Sequence, residues 1–120
     1  MKKEDITGRI IKAAFEVHNN LKSGFQEVTY QRALALELSI SGLDFRREEW
    51  IPVFYKGKKI DTRRVDFVVE DVLVEIKAKN QFEDKDFIQT LAYLKASGFK
   101  VGLLFNFGTE KVEVKRFVND

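Results

Sequence analysis

Two acidic residues and a lysine stand close together in the segment VDFVVEDVLVEIK, which spans residues 65–77. Asp66 lies near the start of the segment, and Glu75 and Lys77 lie at its end. Carboxylates are ligands that Mg²⁺ prefers, and a nearby lysine can orient an attacking water or neutralise charge on a phosphate. These three residue types indicate metal-dependent hydrolysis of a phosphate ester, provided that the fold brings them together.

The alternation of side chains in this segment predicts a β-hairpin with a defined register. With Glu70 and Asp71 at the turn, Asp66 faces Glu75 on the opposite strand. One face then carries the whole apolar set, which is Val65, Phe67, Val69, Val72, Val74 and Ile76. Directly opposed residues have Cβ atoms about 4.5–5.5 Å apart, where like charges destabilise the pair. We therefore expect a proton or a cation to lie between the two acids.

An ordinary protein surface explains the same residues without catalysis. Lys77 would form an ion pair with Glu75 or Asp66 on a solvent-exposed face, and such pairs contribute little to stability. The hairpin alone leaves both interpretations open.

The rest of the chain predicts an α/β fold with the element order α-α-β-β-β-α-β-β. Helical apolar spacing, with glycines at the helix ends, predicts helices at 4–22, 26–41 and 83–97, closed by Gly24, Gly42 and Gly98. Strand patterns cover 44–61 with Gly57 in a turn, the hairpin at 63–79, the buried run VGLLFNF at 101–107 and a more exposed strand at 112–118. In the third helix, Phe87, Leu91 and Leu94 form the expected apolar stripe.

Composition excludes several classes of protein. The length of 120 residues, with 44% hydrophobic and 33% charged residues, predicts a single globular domain over 1–120. The absence of cysteine excludes disulfides and thiolate chemistry, and the single histidine, His18, cannot by itself form a zinc site. No apolar run is long enough to cross a membrane, and we expect a cytoplasmic location.

A local basic patch stands out against a net charge of only +2. The stretch KGKKIDTRR at 56–64 carries five basic residues and one acid. It indicates either phosphate binding or a solvated hairpin, with equal weight. Trp50, Phe54 and Tyr55 precede the patch and can stack nucleobases, although we expect Phe54 to pack in the core. We expect His18 to be a structural or surface residue rather than a catalytic one.

Several motifs together resemble one known group of proteins. Asp66 followed by Glu75-Ile76-Lys77 resembles the signature of the PD-(D/E)xK nuclease superfamily. The stretch GFQEVTY at 24–30 resembles the G-x-x-E-x-x-Y motif of a small bacterial and archaeal family within it, the GxxExxY proteins. The segments IPVFYKGK, QTLAYLKASG and GLLFNFG follow in that family's order. The ordered set carries the resemblance from about Ile10 to Phe117.

The resemblance implies a restriction-endonuclease-like mixed β-sheet flanked by helices. It also implies that Asp66, Glu75 and Glu27 are metal ligands for Mg²⁺ or Mn²⁺, and that Lys77 orients water or stabilises the transition state. Read from the residues alone, Glu27 is equally explained as an acid that favours the helix dipole.

A glutamine-containing helix motif borders the site in many members of the superfamily, and Gln89 with Tyr93 matches it. Both could equally be ordinary surface residues. The proline that usually precedes the first aspartate is absent here, because Arg64 and Val65 stand before Asp66.

Two functions follow from these expectations. The first is a Mg²⁺-dependent nuclease that acts on nucleic acid, DNA in preference to RNA. The residues expected to contact nucleic acid are Lys58, Lys59, Arg63, Arg64, Lys79 and Tyr93. The second is a nucleic-acid-binding or protein-interaction module that keeps the fold without turnover. A homodimer is compatible with either function.

Overall fold

The computed structural model describes residues 3–119, and within them three helices and five strands follow the predicted order. The elements are α1 (Lys3–Leu21), α2 (Glu27–Ile40), β1 (Phe45–Tyr55), β2 (Lys58–Val69), β3 (Val72–Lys77), α3 (Asp84–Ser97), β4 (Val101–Asn106) and β5 (Glu113–Val118). The predicted element order α-α-β-β-β-α-β-β is confirmed. None of the helices in this part of the chain is long and apolar enough to cross a membrane.

The strands form one mixed sheet in the order β1-β2-β3-β4-β5. The first three strands are antiparallel, α3 then crosses over to β4, which runs parallel to β3, and β5 is antiparallel to β4. The predicted hairpin register is confirmed, since Phe67 pairs with Val74 and Val69 pairs with Val72. All of β4 is buried, as its continuous apolar run predicts, whereas β5 is largely exposed.

Two cores lie on opposite faces of the sheet. Helices α1 and α2 cover the larger one, which contains Tyr30 and Phe67. Helix α3 covers the smaller one, in which Leu94 packs with four sheet residues: Ile51, Val65, Val68 and Leu73. The most buried residues of α3 are Asp86, Thr90 and Leu94. The predicted stripe of Phe87, Leu91 and Leu94 is therefore correct for Leu94 but wrong for the other two, because the buried side of the helix is rotated by about one residue. Asp86 and Thr90 can be buried there because they find hydrogen-bond partners inside the protein.

The alternation of side chains in β2 breaks at Asp66. Val65 packs in the smaller core and Phe67 in the larger one, although they are two residues apart. On β1, Glu48 falls opposite Asp66 between the observed pairs and has a φ of 51°, in the left-handed region that side chains rarely adopt. The prediction that all six apolar residues of the hairpin share one face is therefore wrong for Val65.

Three local expectations meet different outcomes. Gly24 was predicted to close the first helix, but Lys22 takes the left-handed conformation there, with a φ of 58°, and its N–H donates to the carbonyl of His18 at 2.8 Å. His18 is buried, and its Nε2 lies 2.9 Å from the carbonyl oxygen of Thr109, as a structural residue should. Phe54 is 60% exposed, so its predicted place in the core is wrong.

Candidate active site

The two acids of the hairpin lie side by side where β2 and β3 separate. The pairing of the two strands ends at Phe67 and Val74, and side chains take over beyond that point. The N–H of Ile76 donates to Asp66 Oδ2 at 2.8 Å, and the N–H of Asp66 donates to Glu75 Oε1 at 3.3 Å. The backbone groups freed by the separation of the strands thus fix both carboxyl groups in one place.

Burial and mutual repulsion change the ionisation of this pair. The Glu75 side chain is only 6% exposed. Burial, the negative charge of Asp66 and a side-chain hydrogen bond with Asp66 raise the pKa of Glu75 to about 9. At neutral pH the two carboxyl groups therefore hold a proton between them. A dication bound at the same place would remove the repulsion that keeps this proton there.

Glu27 and Lys77 lie in the same neighbourhood. Glu27 is the first residue of α2. Its side chain is exposed as a whole, but neighbouring protein atoms partly surround its carboxyl group. Burial and then the negative charge of Asp66 raise the pKa of Glu27, whereas the ammonium of Lys77 opposes the shift. These charges act on one another because the start of α2 lies near Asp66 on β2 and near Lys77 at the end of β3.

Gln31, one helical turn after Glu27, holds Asp66 from the side of α2. Its Nε2 donates to Asp66 Oδ1 at 3.4 Å, and its Oε1 accepts from Arg47 Nη2 at 3.1 Å. Sequence reasoning missed this residue. A signal was present, because Gln31 falls among Tyr30 and Leu34 on the buried side of α2, and a buried amide needs partners.

Lys79 and Asp86 form an ion pair beside the candidate site. Lys79 Nζ lies 2.9 Å from Asp86 Oδ2 and 3.3 Å from Glu83 Oε2. Burial acts to raise the pKa of Asp86, but the Lys79 ammonium and the Glu83 N–H outweigh it and hold the pKa below its ordinary value. Lys79, predicted to contact nucleic acid, is thus engaged within the protein. Asp86 was missed, although Glu83-x-x-Asp86 has the spacing of a helix capping box, which the structure contains.

Asn106 holds the chain just beyond Lys77. Its Oδ1 accepts from the N–H groups of Lys79 and Gly108, each at 3.0 Å, and its Nδ2 donates to the carbonyl of Lys79 at 3.0 Å. Gly108 allows this contact, because a Cβ on it would lie 2.4 Å from Lys79 backbone atoms. The end of β4 therefore fixes the end of β3, where Lys77 lies. Sequence reasoning missed Asn106 as well.

The loop before α2 is tied to the core through Tyr30. The Tyr30 ring is fully buried and stacks on Phe107, with ring centroids 4.9 Å apart. Its hydroxyl donates to the carbonyl of Lys22 at 2.5 Å and accepts from the N–H of Phe25 at 3.2 Å. The chain that leads into Glu27 is thereby attached to a buried ring.

The remaining predicted residues are exposed or contact other parts of the protein. Gln89 is exposed on α3, and Tyr93 is half-buried against the smaller core. Arg63 pairs with Asp61 at 3.0 Å. Arg64 lies 3.7 Å from Glu48 and 5.7 Å from the centre of the Trp50 ring. Lys58 and Lys59 are exposed at the far end of β2. A cavity of about 620 Å³ between α1 and the segment before β5 contains none of the predicted site residues.

The donor groups fit a hard divalent cation held by few protein ligands. Among the residues that the structure describes, no three His, Cys, Asp or Glu side chains come close enough to hold an ion together. Glu27 is therefore not part of a preformed three-carboxylate site with Asp66 and Glu75. Mg²⁺ commonly binds through one or two carboxylates and keeps several waters. Two carboxyl groups side by side, those of Asp66 and the buried Glu75, match that preference.

Comparison with known proteins agrees with this geometry. A family model described as the PD-(D/E)XK nuclease superfamily matches residues 4–117, and the chain therefore belongs to that superfamily. Its fold is similar to the crystal structure of SSO0001, with a TM-score of 0.56 and 15% sequence identity over 95% of this chain and 77% of that chain. The predicted restriction-endonuclease-like fold is confirmed. No curated protein matches the sequence.

Proposed function

We propose that this chain is a nuclease that depends on Mg²⁺ or Mn²⁺ and hydrolyses phosphodiester bonds of nucleic acid, DNA in preference to RNA. One observation carries the proposal: in a chain of this superfamily, the half-buried Asp66 lies beside the buried Glu75, which is two residues before Lys77. We also propose that it is a GxxExxY protein, that residues 1–120 form a single nuclease-like domain, and that the protein acts in the cytoplasm.

Each residue of the site has a role in this proposal. Asp66 and Glu75 would hold the ion, with Glu27 as a further ligand once the ion draws it in. The bound ion would supply an activated water and would stabilise the charge that develops on the phosphate. Lys77 would orient the water or offset the phosphate charge, and Gln89 would border the substrate.

The supporting contacts keep these groups in position. Gln31 and the N–H of Ile76 hold Asp66, so the carboxylate does not need to reorganise when substrate binds. The basic residues of the β1–β2 hairpin would contact phosphates, which makes binding sensitive to salt. These residues are Lys58, Lys59, Arg63 and Arg64. Tyr93 would also contact nucleic acid, as would Lys79 if substrate draws it from its ion pair with Asp86. A homodimer would suit a duplex substrate.

Calorimetry and cleavage assays test the ligands and the lysine separately. Mg²⁺ and Mn²⁺ are titrated into the wild type, Glu75→Ala and the control Glu16→Ala, whose glutamate is exposed on α1. We expect metal binding to disappear only in Glu75→Ala. Cleavage of labelled single-stranded, duplex and branched DNA and of RNA is then compared for Lys77→Ala and the exposed control Lys12→Ala. Metal binding by Glu75→Ala at the level of the wild type would show that the ligand assignment is wrong.

A binding module without turnover is the second candidate function. The exposed aromatic residues beside cations on the β1–β2 hairpin, such as Trp50 beside Arg64, favour it, because they suit nucleic-acid binding that needs no ion. Binding of nucleic acid with no cleavage in Mg²⁺ or Mn²⁺ would support this function over the nuclease.

A further inference from the structure

The outer part of the β1–β2 hairpin carries exposed aromatic residues for which the proposed catalytic site has no use. Trp50, Pro52 and Phe54 are exposed, whereas Ile51 between them is buried. Trp50 and Phe54 are each 60% exposed. The register of the β1–β2 pair shifts between Val53 and Phe54, but the extra residue, Ile60, lies on β2. Successive side chains of β1 therefore still alternate between the two faces, and the three exposed residues share one face. Ile51 points to the other face, where α3 covers it.

Each aromatic residue on this face has a cation opposite it. Trp50 pairs with Arg64 on β2, and Phe54 pairs with Lys59. Directly opposed residues in an antiparallel pair point to the same side. The Arg64 guanidinium lies 5.7 Å from the centre of the Trp50 ring. We call this surface the aromatic–cation face; it consists of Trp50, Pro52, Phe54, Lys59, Thr62 and Arg64.

The charge of the hairpin decides which partner suits this face. Residues 56–64 carry five basic residues and one acid, which complements a polyanion. Exposed rings beside cations bind unpaired nucleotides, because bases stack on the rings and phosphates meet the cations. A second copy of the chain would bring like charges together at the same face, which opposes association. In a duplex the base faces are already stacked on one another, so the rings would have little to bind.

The aromatic–cation face begins beside the acid pair. Arg64 is two residues from Asp66 on β2, which corresponds to about 6.6 Å along a strand. Lys59 is seven residues away from Asp66, or about 23 Å. A strand of nucleic acid that follows this face would therefore leave the candidate site and continue along the hairpin.

We propose that the aromatic–cation face binds an unpaired nucleic-acid strand, whose bases stack on Trp50 and Phe54. The binding itself does not depend on cleavage. Its consequence rests on the proposed function: the face would direct the nuclease to single-stranded segments next to the position of cleavage.

The only tryptophan of the chain, Trp50, reports binding directly. An oligothymidine of about 20 nucleotides, long enough for an extended groove, is titrated into the metal-free full chain, and a duplex of equal length is titrated separately. We expect saturable quenching of tryptophan fluorescence by the single strand and weaker binding of the duplex. An oligouridine tests whether RNA binds in the same way.

Variants separate stacking from general charge. In fluorescence anisotropy with labelled oligothymidine, Trp50→Ala should lower the affinity at least about fivefold, whereas Trp50→Phe should keep most of it. The control is Tyr55→Ala, since Tyr55 is equally exposed but adjoins Phe54 in β1 and so points to the opposite face. It should stay within about twofold of the wild type, as loss of a residue outside the interface does. Thermal melts confirm that the variants are folded.

Several results would overturn the inference. These are unchanged fluorescence with the single strand, equal binding of duplex and single strand, or equal losses in Trp50→Ala and Tyr55→Ala. A Trp50→Ala variant that changes the oligomeric state in sedimentation but not the affinity for oligothymidine would make the face a protein contact. Normal oligothymidine binding by Trp50→Ala, with cleavage that requires Glu75 and Lys77, would refute the inference but keep the nuclease. Quenching of tryptophan fluorescence by the single strand, without cleavage in any metal, would support the inference but refute the nuclease.

Discussion

The two halves of β2 show how differently one strand can be used. From Val65 to Val69 the strand is buried, is covered by helices on both faces, and carries Asp66 among hydrogen-bond partners. From Lys58 to Arg64 most side chains are exposed, and only β1 lies alongside. The difference arises because β3 pairs only with Phe67–Val69.

This contrast distinguishes side chains whose positions are explained by packing in a core from side chains whose positions are not. In the inner half, each side chain is constrained by the core or by the acid pair. Opposite the outer half, Trp50 and Phe54 of β1 belong to neither core, so a role in the fold does not account for their size or for their place opposite cations. The inner half therefore suits a rigid chemical site, and the outer half suits a binding surface.

Two phenylalanines provide the strongest test of the contrast. Phe67 is fully buried in the larger core, whereas Phe54 is 60% exposed on the hairpin. We expect Phe67→Ala to lower the free energy of unfolding by about 3–5 kcal/mol, because it loses buried contacts and leaves a cavity. Phe54→Ala should stay within about 0.5 kcal/mol of the wild type, as most surface substitutions do. Urea denaturation measures both, and similar losses would show that the hairpin is part of the cooperative core.

Two glycines test the support behind the inner half. A Cβ at Gly108 would lie 2.4 Å from the backbone of Lys79, whereas a Cβ at Gly102 would make only ordinary contacts, at 3.5 Å or more. We expect Gly108→Ala to lower the free energy of unfolding by about 1–3 kcal/mol and to weaken Mg²⁺ binding, because it displaces the chain beside Lys77. Gly102→Ala is the control for an added methyl group. Equal stability of the two variants in urea would contradict the tight contact.

The acid pair predicts that the stability of the folded chain depends on pH, an effect that the exposed half of β2 does not share. The ordinary pKa of Glu75 is 4.5, and in the folded chain it rises to about 9. Between these values the folded chain binds more protons at this group than the unfolded chain, so its contribution to stability decreases as pH rises. In metal-free buffer we therefore expect the melting temperature to fall from about pH 5 towards pH 9.

A neutral substitution isolates that effect. Glu75→Gln removes the titrating group and should flatten this part of the profile, while the exposed control Glu16→Gln should keep the slope of the wild type. An unchanged slope in Glu75→Gln would mean that the two acids do not share a proton.

The sequence predicted well those features that depend on apolar pattern. The hairpin register followed from the alternation around Phe67 and Val74, because a slip by one residue would move apolar side chains to the wrong face. The buried strand β4 followed from its continuous apolar run. The neighbouring positions of Asp66 and Glu75 are a consequence of that register, which is why the centre of the candidate site was visible in the sequence.

The polar residues that support the site could not be predicted in the same way. Asn106 is buried because a distant segment, around Lys79, supplies its partners, and nothing local in the sequence distinguishes it from a surface residue. Gln31 and Asp86 had local signals, but those signals did not show which side chains they contact. The left-handed Glu48 could not be foreseen either, and with it the change of face at Val65. Phe54 was misplaced because an aromatic residue in a strand usually packs in a core.

Tyr30 has a consequence for the direction in which α2 starts. A phenylalanine at this position would fill the same space against Phe107, but it would leave the Lys22 carbonyl and the Phe25 amide without their shared partner. The turn between α1 and α2 would then lose both of its hydrogen bonds to the buried ring, and the segment that leads into Glu27 would be held less firmly. One oxygen atom at the tip of a buried ring thus helps to position an acid three residues earlier in the chain.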